Sequence, residues 1–234
     1  MTAAIRYPLN RIHLALVVWC DKTDSYGGPA SMERFVRKVG ESVGVRESCL
    51  FVPVDHVTGW AWIPLPSDVA SGAVVQIRTL AESTPEAPFI AVGNPLPGVD
   101  GFRRSHRLAK DAYTVAITSR TTPRRVTAAG DPGLTLAALL GENVEAAAAW
   151  VGEVLGPLAS ATDSDDRLRE TLRVFLRTGS SYTAAAEQLY LHFNSVKYRV
   201  QRAIERRGRP ITDDRCDVEV ALILCYWLGT AVLS

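Results

Sequence analysis

The chain has 234 residues, 47% of them apolar and 22% charged, with 26 Lys and Arg against 25 Asp and Glu. This is ordinary globular composition, which excludes disordered, collagenous and disulfide-scaffold chains, and the length suits one large or two small domains with sizeable cores. The net charge of +1, taken whole, gives no hint of a nucleic-acid partner.

In chain order, residues 12–19 (IHLALVVW) form a nearly continuous apolar run, the pattern of a strand covered on both faces. Residues 31–43 read as a helix with Met32, Phe35, Val36 and Val39 on one face. Strands are predicted over 49–54 and 60–65, joined by the hairpin-length loop Asp55-His56-Val57-Thr58-Gly59. A helix over 68–81 and a strand over 89–92 complete a β-α-β-β-α-β order, the ferredoxin-like or split βαβ arrangement. A helix over 99–117 and a short strand over 124–127 follow. From residue 131 the texture becomes helical, with Ala- and Leu-rich stretches over 132–140 and 143–158. The polar cluster Thr162-Asp163-Ser164-Asp165-Asp166 reads as a linker whose acids suit the start of the next helix. The expected organisation is an α/β domain over 1–130, connecting helices over 131–160 and an all-α domain over 161–234.

The last segment carries most of the information. Leu168, Leu172, Phe175 and Leu176 follow helical spacing, with Arg167, Arg169, Arg173 and Arg177 on the other faces and Gly179 as the stop. A short helix over 182–189 turns Ala185, Ala186 and Leu189 inward, and the small alanines let a second helix approach closely. Residues 190–193 suffice only for a tight turn, and Asn194 is a good N-cap for a helix that runs to Arg207 and is stopped by Gly208 and Pro210. Short helix, tight turn and longer basic helix is the helix-turn-helix layout. At 100° per residue, Val196, Val200, Ala203 and Ile204 share one side. Asn194, Ser195, Tyr198, Gln201 and Arg202 point away from it, Lys197 and Arg199 flank it, and Arg206 lies one turn on. Amides and guanidinium groups so placed suit base edges in a major groove, and the flanking cations suit phosphates. The blander alternative is an Arg-rich solvated helix. The final helix, about 216–233, is apolar on almost every side and is expected in a core, with some surface left for a dimer.

Other features point to no chemistry. Cys20, Cys49, Cys216 and Cys225 show no C-x-x-C spacing and read as reduced, buried thiols of a cytoplasmic protein. The histidines at 13, 56, 106 and 192 have no helical metal-ligand spacing, so neither metal nor other cofactor is expected. The run 220–233 is too short to span a membrane, and residues 1–10 lack a signal-peptide core. Gly93-x4-Gly98 is followed by Val99-Asp100 instead of Lys and Ser or Thr, so it is no P-loop. The basic run Arg103, Arg104, Arg107 and Lys110, with His106, reads as a solvated helix face, and Trp60 and Trp62 share a strand face suited to packing.

RLRETLRVFLRTGSSYTAAAEQLYLHFNSVKYRVQRAIERRG (167–208) resembles the terminal helix-turn-helix of the PucR/CdaR family of bacterial transcriptional regulators. The shared features are a leucine-rich helix, an Ala-Ala pair, a Leu, a His and an Asn followed by Tyr-Arg. GNPLPGVDGFRRSHRLAKDA (93–112) resembles the helix start of the family's middle domain, a degenerate relative of the GGDEF diguanylate cyclase domain. Phe193 stands where a basic residue is common, and Ser195 where Thr is. The resemblance implies a GGDEF-like, nucleotide-cyclase-like domain followed by a helical helix-turn-helix domain that binds double-stranded operator DNA as a homodimer. It also brings His192 into the DNA-contacting set Asn194, Ser195, Lys197, Tyr198, Arg199, Gln201, Arg202 and Arg206. Such regulators usually carry an N-terminal sensor, through which a small-molecule effector would act; the sequence is accordingly expected to be either a fragment without that sensor or a short family member.

Two alternatives belong to other classes. One is a nucleotide-binding or nucleotide-cyclizing enzyme, which needs metal-holding carboxylates and a Gly-rich turn. The turn Asp55-His56-Val57-Thr58-Gly59 lacks two glycines and the adjacent acidic pair, and Asp21 and Asp24 after the first strand lack partners, so no catalytic residue is expected. The other is an adaptor whose helix-turn-helix contacts protein. Counted by segment, residues 167–215 hold eleven Lys or Arg against five Asp or Glu, so the neutral total hides a basic helical region behind an acidic α/β one.

Overall fold

The computed structural model describes residues 7–20, 28–45, 48–119 and 124–234. Asp21 and Asp24 lie outside the described residues. The chain divides into two compact units, Met1–Ile117 with Pro123–Thr135, and Thr118–Thr122 with Leu136–Ser234.

The first unit is built on one mixed sheet of order β2-β3-β1-β4-β6, with β5 also paired to β1. The strands are β1 (Ile12–Trp19), β2 (Leu50–Pro53), β3 (Thr58–Leu65), β4 (Phe89–Val92), β5 (Leu96–Pro97) and β6 (Val126–Ala128). β3 and β4 flank β1 antiparallel, in the registers Leu16↔Ala61 and Leu16↔Val92, and β2 extends β3 antiparallel. This is the split βαβ order that the sequence predicts, extended by β6, which runs parallel to β4.

β1 is apolar apart from His13 because both its faces are covered. Leu14, Leu16 and Val18 enter a core with Phe35, Val36 and Val39 of α1 (Pro29–Ser42) and Ile77 of α2 (Ala73–Ser83). On the other face, α3 (Gly98–Thr118) lies close to the sheet. The Ala15 N–H donates to Ser105 Oγ at 2.8 Å, Trp62 stacks on Phe102 at 4.6 Å between centroids, and Trp19 meets Tyr113 edge-on. The close approach depends on Gly93, where a Cβ would lie 2.1 Å from the Ser105 carbonyl oxygen. α2 begins at Ala73, not residue 68, because Pro66, Val69 and Gly72 close successive three-residue turns before it.

The second unit is helical. α4 (Leu134–Leu140) straddles the division. α5 (Val144–Leu155) and a short 3-10 helix (Gly156–Ala159) lead into α6 (Asp163–Arg177), α7 (Tyr182–Leu189), α8 (Phe193–Arg207) and α9 (Arg215–Leu228). α9 packs against both α5 and α6, and α6 against both α7 and α8. α9 buries Val218, Ala221, Leu222, Leu224, Cys225, Trp227 and Leu228, as expected of a core helix.

Several local expectations change. The polar cluster at 162–166 is the capped start of α6: Thr162 Oγ1 accepts from the Asp165 N–H and donates to Asp165 Oδ2. Arg169 is not on an outer face but 4% exposed, because Leu158 and Ser160 carbonyls behind it need a donor and take its Nη1 at 2.8 and 2.6 Å. α9 ends at Leu228 on Gly229, whose φ of 54° leads into a second 3-10 turn. Cys216 is exposed, whereas burial pushes the thiols of Cys49 and Cys225 up to about 11 and about 12, which makes them poor nucleophiles. Among the described residues, no single helix is long and apolar enough to cross a membrane.

Candidate nucleic-acid interface

α7 and α8 form the helix-turn-helix, joined by Tyr190, Leu191 and His192. Ser181 caps α7 by accepting from the Ala184 N–H. Ala185 and Ala186 are buried, which lets α7 lie close to its neighbours α6 and α8. The cap of α8 is His192, not Asn194: the Asn194 N–H donates to His192 Nδ1 at 3.2 Å, so the helix starts at Phe193 and Asn194 sits in its first turn. A residue earlier in the turn now supplies the acceptor, and the amide of Asn194 is left to solvent.

The faces of α8 follow the sequence arithmetic. Val196, Val200 and Ala203 are buried, and Ile204 is half-buried. Asn194, Ser195, Lys197, Tyr198, Gln201 and Arg202 are exposed, as is His192, while Arg199 is half-exposed. Lys197 and Arg199 have no ion-pair partner among the described residues. Arg202 Nη1 pairs with Glu205 Oε2 at 2.7 Å and Gln201 Nε2 with Glu205 Oε1 at 3.3 Å. Hydrogen bonds from Arg202, then from Gln201, hold the Glu205 carboxyl below its usual range. An exposed pair of this kind is worth little, so Arg202 can exchange Glu205 for a phosphate or a base.

The C-terminal end of α8 is tied to its neighbours by two arginines. Arg206 donates Nε and Nη2 to Asp165, at 3.0 and 3.2 Å, and so ties α8 to the start of α6. Burial alone would raise the Asp165 carboxyl; the hydrogen bonds from Arg206 and Thr162, with the charges of Arg206 and Arg169, outweigh it and hold it low. Arg207 is 4% exposed. It gives Nε to the Val154 carbonyl at 2.8 Å and Nη1 to that of Pro210 at 2.7 Å, and pairs with Asp214. Arg209 reaches the Glu153 and Val154 carbonyls and Asp214. Arg206 is exposed like the other predicted contacts, but unlike Lys197 and Arg199 it is engaged in an ion pair.

The turn is underlaid by aromatic rings. Tyr182 stacks on Phe175 at 4.5 Å, and Phe193 meets Tyr182 edge-on at 5.8 Å. Phe193, at the position where the family resemblance leads one to expect a basic residue, therefore braces α8 against α7. Tyr190 stands outside this stack.

In the first unit the β2–β3 turn is closed by Asp55, whose Oδ1 accepts from the N–H groups of Val57 and Thr58 at 2.8 and 2.7 Å. Its carboxylate is occupied as a turn cap. Among the described residues no three His, Cys, Asp or Glu side chains are grouped so as to hold a metal ion. Arg103, Arg104, Arg107 and Lys110 are exposed on α3, while His106 turns inward between Trp60 and Trp62, at 4.6 and 4.7 Å. The two tryptophans are thereby used in packing.

Residues 168–224 match the PucR C-terminal helix-turn-helix domain, and residues 2–115 match the GGDEF-like domain. The chain is 42% identical over 45 residues to the uncharacterized protein YxkF of Bacillus subtilis, covering 19% of this chain and 15% of that protein. It is 31% identical over 139 residues to an uncharacterized protein of Mycobacterium tuberculosis, covering 59% of this chain and 32% of the relative. It is 31% identical over 75 residues to the purine catabolism regulatory protein of Bacillus subtilis, covering 32% of this chain and 14% of the relative. These matches thus span a third or less of the relatives' own length. A regulator of polyketide synthase expression from Bifidobacterium adolescentis aligns over 92% of this chain and 79% of its own, at 21% identity and a TM-score of 0.39. The chain thus carries a GGDEF-like domain followed by a PucR C-terminal helix-turn-helix domain.

Proposed function

We propose that this chain is a sequence-specific, DNA-binding transcriptional regulator that lays α8 in the major groove of an operator. The observation that carries the reading is the division of α8. Its buried stripe of Val196, Val200 and Ala203 holds it on α6 and α7, and its outer face offers Asn194, Ser195, Tyr198, Gln201 and Arg202 together with the cations Lys197 and Arg199. Side-chain amides and guanidinium groups can pair with base edges, and the cations can neutralise phosphates. His192 and the first turn of α8 bring exposed donors and partial positive charge to the same end. Arg206 enters this picture as the anchor that holds the helix, through Asp165.

In this reading the α/β unit is a non-catalytic module that transmits a signal or joins two copies. A homodimer is expected, since two linked half-sites multiply the modest affinity of one module. The test is selection from a randomised duplex pool followed by titration at several salt concentrations. Replacing Lys197, Arg199 and Arg202 together by Ala should lower affinity for the selected duplex by about a hundredfold and flatten the salt slope by roughly 2–3, since each lost phosphate contact removes about 0.9. Unchanged affinity and slope would overturn the reading.

A further inference from the structure

The turn between α7 and α8 contains an expensive residue. The Tyr190 N–H bonds to the carbonyls of Ala186 and Glu187, and the Leu191 N–H to that of Ala186 at 3.0 Å. This closure requires a left-handed residue, and Tyr190 adopts φ 53° and ψ 42°. Glycine, or asparagine, normally fills such a position, because a β-carbon there crowds the backbone. The tyrosine gains nothing from packing to offset this, being 95% exposed. The neighbouring rings of Phe175, Tyr182 and Phe193 pack on one another instead. A strained backbone position that carries a large aromatic ring into water points to a ligand outside the chain.

We propose that Tyr190 is a DNA contact, donating its phenolic hydroxyl to a backbone phosphate oxygen beside the groove that α8 occupies. The inference rests on the DNA-binding reading above and adds a residue to it. Tyr190 lies two positions before the cap His192, and His192, Asn194 and Ser195, which follow it in the chain, are exposed as well. It precedes the helix that reads bases, so it meets the wall of the groove and not its floor. A neutral hydroxyl on phosphate adds affinity for every sequence, without changing sequence preference or the number of counterions released.

The test compares the wild type, Tyr190→Phe, Tyr190→Gly and the Lys197, Arg199, Arg202 triple-Ala variant. Each is measured on a duplex selected from the randomised pool and on an unrelated duplex of equal length. Tyr190→Phe and Tyr190→Gly should bind both duplexes more weakly, by about fivefold and about tenfold, as expected for one lost hydrogen bond of ordinary strength at an exposed site. Their salt slope and their ratio of selected to unrelated binding should stay as in the wild type. The melting temperature of Tyr190→Gly should hold or rise, so that its weaker binding is not a folding defect. Wild-type affinity in both Tyr190 variants, with the triple variant still impaired, overturns the Tyr190 contact and leaves the DNA-binding reading standing. A change in oligomeric state without a change in DNA affinity overturns it too, assigning Tyr190 to a second copy. A wild type that shows no preference for the selected duplex, with the triple variant binding equally well, removes both proposals.

Discussion

The two units bury different kinds of polar group. Among the described residues, the polar side chains buried in the sheet unit are His13, Thr58, Ser105 and Thr127, all neutral or neutralised by their surroundings. In the helical unit they include the charged Asp165, Arg169 and Arg207. The difference follows from backbone chemistry. A sheet fixes the register of its strands through ladder hydrogen bonds, so its interior needs few side-chain ties. A helix satisfies its own backbone, and apolar packing alone leaves it freer to slide or turn against its neighbours. Here three guanidinium groups fix that freedom: Arg169 holds the 3-10 helix to α6, Arg206 holds α8 to α6, and Arg207 holds α8 to the end of α5. The helix proposed to read DNA is thus held at its C-terminal end by charge and presents its N-terminal half outward.

The contrast can be broken by mutation. Arg207→Met should destabilise the helical unit by about 3–5 kcal/mol, the usual loss when one partner of a buried, hydrogen-bonded ion pair is removed. Ser105→Ala should cost the sheet unit about 1–3 kcal/mol, since it leaves one buried N–H, that of Ala15, without an acceptor. Denaturant melts followed by hydrogen exchange in each unit would report both; equal losses would remove the contrast.

Smaller effects come from pH, and they separate the units further. Asp165 has a carboxyl held below its ordinary value of 3.8 in the folded chain, so its contribution is complete above that value and is lost as pH falls through the lower, folded value. Exchange protection of α6 and α8 should therefore decline only in strong acid, and Asp165→Asn should flatten that decline. His13 and His106 have folded values lowered from 6.5, chiefly by burial, so the unfolded chain binds protons first. Their contribution is complete above pH 6.5 and is lost as pH falls toward the folded values. His13 is fully buried, with Nε2–H donating to the Leu9 carbonyl at 3.2 Å and Nδ1 accepting from the Tyr7 hydroxyl at 2.9 Å, an arrangement that suits the neutral ring. Protection around β1 and α3 should therefore weaken as pH falls below 6.5, before that of the helical unit, which holds until pH falls below 3.8. Simultaneous weakening of the two regions would show that one titration governs both.

Much of this was legible along the chain. The apolar run of β1, the hairpin around Asp55 and the βαββαβ order could be read directly, because strand and helix periods are local properties of a few successive residues. The helix-turn-helix layout was legible for the same reason, as was the buried stripe of Val196, Val200 and Ala203. The turn was harder: Tyr190 carries no local signal for a left-handed residue, since such positions are usually marked by Gly or Asn. His192 took the cap from Asn194 because either residue type can accept from the first turn, and only the path of the turn chooses between them.

The sequence by itself determined the elements, their order and the two-part organisation of its charge, since these depend on spacing and composition. Only the tertiary structure decided which charges remain free. Eleven cations look alike between residues 167 and 215. Arg206 is paired, while still exposed, with Asp165, 41 residues away, and Arg207 is buried against the Val154 carbonyl, 53 residues away. Among the described residues, no acid is paired with Lys197 or Arg199, which leaves them available to a partner. Burial of a charge depends on groups that folding brings from far along the chain, and spacing within one helix cannot report them.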